Sequence, residues 1–153
     1  MLNWAIRSLS TNWKPYSRVF LIPDNSKWVL AEEMRKLSKV ARKMGVKTID
    51  PKYLKVINNQ VAFYASHFHL LLREKSLPDH RLGISYYHGL PSTGFPLFDK
   101  AYSRFHEIHP QLTRVHVSHS QMRDFLLNEG VAPEKVFQIL IGVDTTIFKR
   151  QTT

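Results

Sequence analysis

Four short polar stretches of this chain each follow directly on an apolar run: Pro23 to Lys27, Ser66-His67, His88 to Gly94 and Ser118 to Gln121. Where such runs are strands of an open parallel sheet, ligands bind beyond their carboxyl ends, so chemistry is expected in these four places. His88 stands between Tyr87 and Gly89. An imidazole at a strand end can hydrogen-bond a ligand or act as a base; a structural or surface histidine is the alternative. Ser118-His119-Ser120-Gln121 opens onto a helical pattern. Ser118 and Gln121 have the spacing of a capping box, and the free N–H groups of the same helix start favour a phosphate or hydroxyl ligand.

Other chemistries lack their residues. The eight histidines invite a zinc site, but His106-Glu107-Ile108-His109 is one residue short of the spacing that puts two histidines on one helical face. There is no cysteine, carboxylates are few near the histidines, and no metal is expected. The first loop carries no G-x-G-x-x-G, so a dinucleotide-dependent oxidoreductase is disfavoured. Neither a phosphate-binding P-loop nor a G-x-S-x-G nucleophile elbow is present.

The elements that must hold these stretches follow from periodicity. Ser17 to Ile22 reads as a buried strand closed by Pro23-Asp24-Asn25. A helix is predicted from about Lys27 to Met44, with Leu30, Met34, Leu37, Ala41 and Met44 as one apolar stripe facing the sheet. Arg35, Lys36, Lys39, Arg42 and Lys43 then lie outside. Gly45 stops the helix, and Val46 to Ile49 is a second strand. After a connector from Asp50 to Asn59, Gln60 to Ala65 is a third apolar run, and His67 to Lys75 reads as helical. Arg81 to Tyr87 is a strand, Leu97 to Ile108 a helix, Arg114 to Val117 a strand, Ser120 to Asn128 a helix, and Val136 to Ile141 a strand. This alternation predicts an α/β, Rossmann-like parallel sheet with helices on both faces.

The bulk numbers agree with one domain of ordinary size, 153 residues long and 43% hydrophobic. Without cysteines it needs no oxidising compartment. No apolar run approaches the roughly 18 residues of a membrane span, and residues 1 to 15 lack the apolar core of a signal peptide. A cytoplasmic protein is expected, able to sit peripherally at a membrane. The net charge of +10, from 22 Lys+Arg against 12 Asp+Glu, favours anionic partners. No aromatic residue interrupts the basic helix between Trp28 and Met44, which disfavours nucleic acid. Most such basic faces are simply solvated; an anionic membrane surface is the next reading.

The segment from Val131 to Phe148, VAPEKVFQILIGVDTTIF, resembles a hallmark of family 4-type glycosyltransferases of the GT-B fold. There a helix ends on Gly, a Pro-x-Lys-Val turn follows, and a strand runs into Gly-Val-Asp-x-x-x-Phe. Val117-Ser118-His119-Ser120 resembles the family's Val-Ser strand end and following helix. The resemblance extends over nearly the whole chain in element order and is specific over about residues 114–148.

It implies a division into an extension (1–16), a Rossmann-like N-terminal glycosyltransferase domain (17–148) and the start of a crossing to a C-terminal, donor-binding domain (149–153). The function implied is sugar transfer from a nucleotide sugar to an acceptor, with retention of configuration and no metal or other cofactor. This domain would supply the acceptor side of the cleft and would be inactive alone. The resemblance makes His88 and His119 the catalytic candidates. Asn25, Ser26, His67, Gly89, Ser118 and Ser120 would bind substrate, and Gly142, Asp144 and Phe148 would lie at the domain crossing. The family's first loop is often Gly-rich; here Pro23 to Trp28 stands in its place. A non-catalytic basic module for nucleic acid or an anionic membrane surface is the alternative.

Overall fold

The computed structural model describes residues 15–24, 29–74, 77, 79–86, 90–91 and 94–140. Six parallel strands form one sheet: β1 (Arg18–Ile22), β2 (Lys47–Ile49), β3 (Val61–Tyr64), β4 (Arg81–Ser85), β5 (Leu112–Val117) and β6 (Val136–Gln138). Their order is β2-β1-β3-β4-β5-β6. Three α-helices are described: α1 (Val29–Lys43), α2 (Pro96–Ile108) and α3 (Ser120–Asn128). The chain steps from β1 to β2 in one direction and from β3 to β6 in the other. Crossovers between parallel strands are right-handed, so this reversal sets α1 on one face and α2 and α3 on the opposite one. The fold is thus the α/β, Rossmann-like architecture expected.

The core lies on the face of α2 and α3. Phe20, Ile22, Ala62, Tyr64, Leu82, Ile84, Val115 and Val117 of the strands pack there with Ala101, Phe105 and Ile108 of α2 and Met122 and Leu126 of α3. Leu54 and Ile57, from the connector after β2, join the same core. Alternate strand residues reach one face, and these helices supply the apolar side chains that meet them.

The first helix departs from expectation. None of the described side chains of α1 is buried. Its stripe Leu30–Met34–Leu37–Ala41–Met44 was expected against the sheet; Leu30, Met34 and Ala41 are half-buried, whereas Leu37 is 40% and Met44 76% exposed. Ala31, Met34, Arg35, Ser38 and Arg42 line the gap between α1 and the sheet. The sheet-facing side of α1 is thus shared between two stripes: Leu30, Met34 and Ala41 of the expected one and Ala31 and Ser38 beside it are half-buried. Arg35 and Arg42 are exposed, as the sequence assigned them, and border that gap.

Smaller corrections have local causes. The segment read as a helix from His67 to Lys75 is a π-helical turn, His69–Arg73, after which Glu74 is extended. β5 begins at Leu112, directly after the 3₁₀ turn His109–Gln111, which has Pro110 among its first positions. β6 ends at Gln138 rather than Ile141; Ile139 and Leu140 are exposed.

Gly83 marks a tight crossing. A Cβ built there would stand 2.9 Å from the Phe63 ring, beside a shift of register between β4 and β5. Gly83→Ala is expected to cost about 1–3 kcal/mol through overpacking. Urea denaturation checks it, and combining it with Phe63→Leu should recover part of the loss; additive effects would show that the ring is not what the methyl meets.

Candidate functional site

The carboxyl end of β1 is the place where the chain reverses its direction across the sheet, with β2 on one side and β3 on the other. Open α/β sheets bind ligands at such a point, because the loops leaving the two neighbours diverge. Here the end of β1 is pinned on both sides of that divergence. The Ile22 carbonyl accepts the Ala65 N–H at 2.9 Å. The Pro23 carbonyl lies 3.1 Å from His69 Nδ1; since a carbonyl only accepts, Nδ1 carries the proton.

Two clefts flank this end and share Pro23 and Pro51 as a common wall. The smaller, about 270 Å³, is lined by Ile22, Lys52, Leu54, Lys55, His69 and Glu74 with the two prolines. Glu74 Oε1 stands 3.8 Å from His69 Nε2, and Oε2 stands 3.8 Å from Lys55 Nζ. An imidazole, a carboxylate and an ammonium thus meet at one opening. Such a set can hydrogen-bond sugar hydroxyls or relay a proton. The larger cleft, about 450 Å³, lies between α1 and the ends of β1 and β2.

Local sequence explains both walls. Asp50 caps the 3₁₀ turn Pro51–Tyr53 by accepting the Lys52 N–H at 3.0 Å, with Pro51 at the first position, where no N–H is needed. That backbone N–H holds the Asp50 carboxyl below its ordinary value, and the Lys52 ammonium, 3.2 Å away, adds to the effect. Behind His69 lies Tyr64, whose ring meets the imidazole edge-on at 5.4 Å. Burial pushes the Tyr64 phenol well above its ordinary value, and the charge of Glu74 pushes in the same direction. The Tyr64 hydroxyl and Ser66 Oγ are buried with no hydrogen-bond partner among the described residues.

Several residues singled out from the sequence take other roles. His67 is completely buried and stacks on Tyr86 at 4.1 Å. It belongs to the packing under the sheet edge, which corrects the expectation that it opens onto the cleft. The reason is the π-helical turn, which draws Ser66-His67 inward. Ser118 is nearly buried. The cap of α3 is His119, not Ser118: its Nδ1 accepts the Met122 N–H at 3.3 Å. His119 is half-buried and Ser120 exposed. Both lie at the end of β5, three strands from the reversal point. Asn25, Ser26, His88, Gly89, Gly142, Asp144 and Phe148 lie outside the described residues.

The sequence reading passed over His69, Glu74, Lys52 and Lys55. It also passed over a cross-strand pair. Ser85 and His116 are register partners in β4 and β5. The His116 Nε2–H donates to the Ile139 carbonyl at 3.0 Å, which leaves Nδ1 to accept the Ser85 hydroxyl at 2.8 Å. With Ser85 8% exposed, the pair acts as a polar tie across β4, β5 and the segment after β6. Among the described residues no three His, Asp or Glu side chains converge to hold a metal ion.

Comparison of the chain with protein-family profiles, with characterised proteins and with solved structures finds no match.

Tyr64 offers a direct test of the cleft's design. A buried hydroxyl without a partner costs about 1–3 kcal/mol of desolvation. Tyr64→Phe is therefore expected to raise the melting temperature. A lowered one would show that the hydroxyl is satisfied in the folded protein.

Proposed function

We propose that this chain is the acceptor-side domain of a GT-B type glycosyltransferase. The observation that carries the reading is the run from β5 to β6. There a strand, the Ser118-His119 turn, a helix, Gly130 in the left-handed conformation (φ 84°), the turn Pro133–Lys135 and a strand follow one another. That is the order in which the resembled segment should fold. The Rossmann-like sheet and a polar cleft at its reversal point support the same reading.

In such a reaction the acceptor hydroxyl bonds to the anomeric carbon and the bond from that carbon to the diphosphate breaks. The hydroxyl proton leaves with the nucleoside diphosphate or passes to a side chain. His69, Glu74 and Lys55 are placed to orient acceptor hydroxyls, and His119 stands further along the same edge. The donor's own contacts are assigned to a second domain.

The test is release of nucleoside diphosphate. The coding sequence, expressed to its own stop codon and offered a panel of nucleotide sugars with glycan and lipid acceptors, is expected to release it. Residues 1–153 alone should release none and should bind nucleotide sugar more weakly than micromolar. Micromolar binding by residues 1–153, or no release from any donor by the full product, would overturn the assignment.

A second reading concerns where the enzyme works, and the outer face of α1 favours it. Leu37, Val40 and Met44 are exposed there, among the exposed Lys36, Lys39 and Lys43. Apolar side chains ringed by lysines suit the surface of an anionic bilayer, and no helix among the described residues is long and apolar enough to cross one. Each lysine near such a surface contributes about 1 kcal/mol. Replacing all three by Glu is expected to abolish sedimentation with phosphatidylserine vesicles at low salt. Equal binding to phosphatidylcholine vesicles, or no loss in the triple variant, would discard the membrane reading.

A further inference from the structure

The helix α1 carries two stripes at helical spacing, Leu30–Met34–Leu37–Ala41–Met44 and Ala31–Arg35–Ser38–Arg42. The ordinary outcome is burial of the first. In the structure the second, together with Met34, lines the gap to the sheet, with Ala31 and Ser38 half-buried and both arginines exposed at its mouth. Two guanidinium groups thus border a cleft that an apolar face would have closed. Places where a sequence breaks its own local rule are expected to be functional.

We propose that the cleft between α1 and the ends of β1 and β2 binds a phosphoryl group, carried by the acceptor. Ala31 and Ser38 are small and leave the room. At about 450 Å³ the space falls in the range of small-molecule sites, roughly 300–1,000 Å³.

The donors are prepared. Arg42 Nε and Nη2 each bond Ser38, at the backbone carbonyl and at Oγ, both at 3.2 Å. This fixes the guanidinium plane and leaves its remaining N–H groups for an anion. Arg35 pairs with Glu32 on the helix surface, a contact weak enough for a phosphate to displace. Thr48 adds a hydroxyl. Asp50 is the carboxylate in the lining, and Lys52 engages it through both backbone and side chain. The balance of charge favours an anion.

Pro23 and Pro51 separate this cleft from His69, Lys55 and Glu74. A ligand anchored by its phosphoryl group could therefore reach across the end of β1 toward the polar groups beyond. The anion site stands on its own geometry; that its ligand is the acceptor rests on the glycosyl-transfer reading.

The probe is inorganic pyrophosphate, titrated calorimetrically into residues 1–153 at low ionic strength. Saturable binding is expected. Arg42→Gln and Arg35→Gln should each weaken it about tenfold, equal to about 1.4 kcal/mol. Lys100→Gln removes the same charge from the exposed side of α2, on the opposite face of the sheet, and should leave binding unchanged. No binding, or equal losses in all three variants, would overturn the site, the latter by showing diffuse attraction to the net charge. Should Arg42→Gln fail to fold by circular dichroism, Arg42→Lys keeps the charge but loses the fork and must still weaken binding.

Competition by glucose 6-phosphate but not by dihexanoyl phosphatidic acid would assign a soluble sugar phosphate. The reverse would assign a lipid phosphate, and competition by neither would overturn the acceptor assignment. Failure of pyrophosphate binding with nucleotide release intact would leave sugar transfer standing. Loss of release with binding intact would leave the anion site standing.

Discussion

The carboxyl edge of this molecule depends on β1 being the strand at which the sheet reverses its order. Both neighbours run parallel to β1, so the chain must leave it in one direction and return on the other side. The connection after β2 and the turn after β3 therefore part company over the end of β1. The hydrogen bonds from Ala65 to Ile22 and from His69 to Pro23 hold one of them down. Pro23 itself has no N–H to leave unsatisfied. The two clefts are the space left on either side of that fixed point.

The other consequence of the reversal is a one-sided core. A parallel sheet is normally covered on both faces. Here α2, α3 and the connector after β2 supply the buried apolar side chains, whereas α1 supplies none among its described ones. On the side away from this core, Phe63 closes over Gly83 and His116 bonds Ser85. That surface is held together by close backbone approach and hydrogen bonding more than by packed aliphatic groups. The aromatic rings on the core side are instead layered: His67 on Tyr86, and Tyr86 edge-on to Phe105. This layering explains why a histidine at a strand end serves packing rather than ligand contact.

The strands were legible because each is a short apolar run bounded by turn residues, and α3 was legible because a polar turn precedes it and Gly130 follows it, although its cap is His119 and not the Ser118 expected. The sharing of the sheet-facing side of α1 between two stripes was not. Periodicity gives the spacing of a stripe but does not choose between two stripes on one helix. Here Ala31 and Ser38, whose small side chains permit approach to the sheet, share that side with the expected stripe. The site was only partly legible for a related reason. His69, Glu74, Lys52 and Lys55 come from a π-helical turn and a connector, whose placement no period encodes. The Asp50-Pro51 pair announced a turn, but not that the turn would face His69 across the end of β1.

The distribution of charge along α1 ties its placement to binding. No Asp or Glu lies between Glu33 and Asp50, while Arg35, Lys39 and Lys43 recur every four residues. Like charges at that spacing destabilise a helix by about 0.2–0.5 kcal/mol per pair, and Leu37, Val40 and Met44, whose burial would offset this, are exposed. An anion between Arg35 and Arg42 would relieve part of the repulsion from the sheet side. A negatively charged surface against the lysines would relieve it from the other. Either partner would bind the folded helix better than the unfolded segment, so each would stabilise α1 by mass action. Because the two act on opposite faces of the same charged helix, occupancy of one would lower the positive potential that attracts the other, and the two events would be coupled through the helix without direct contact.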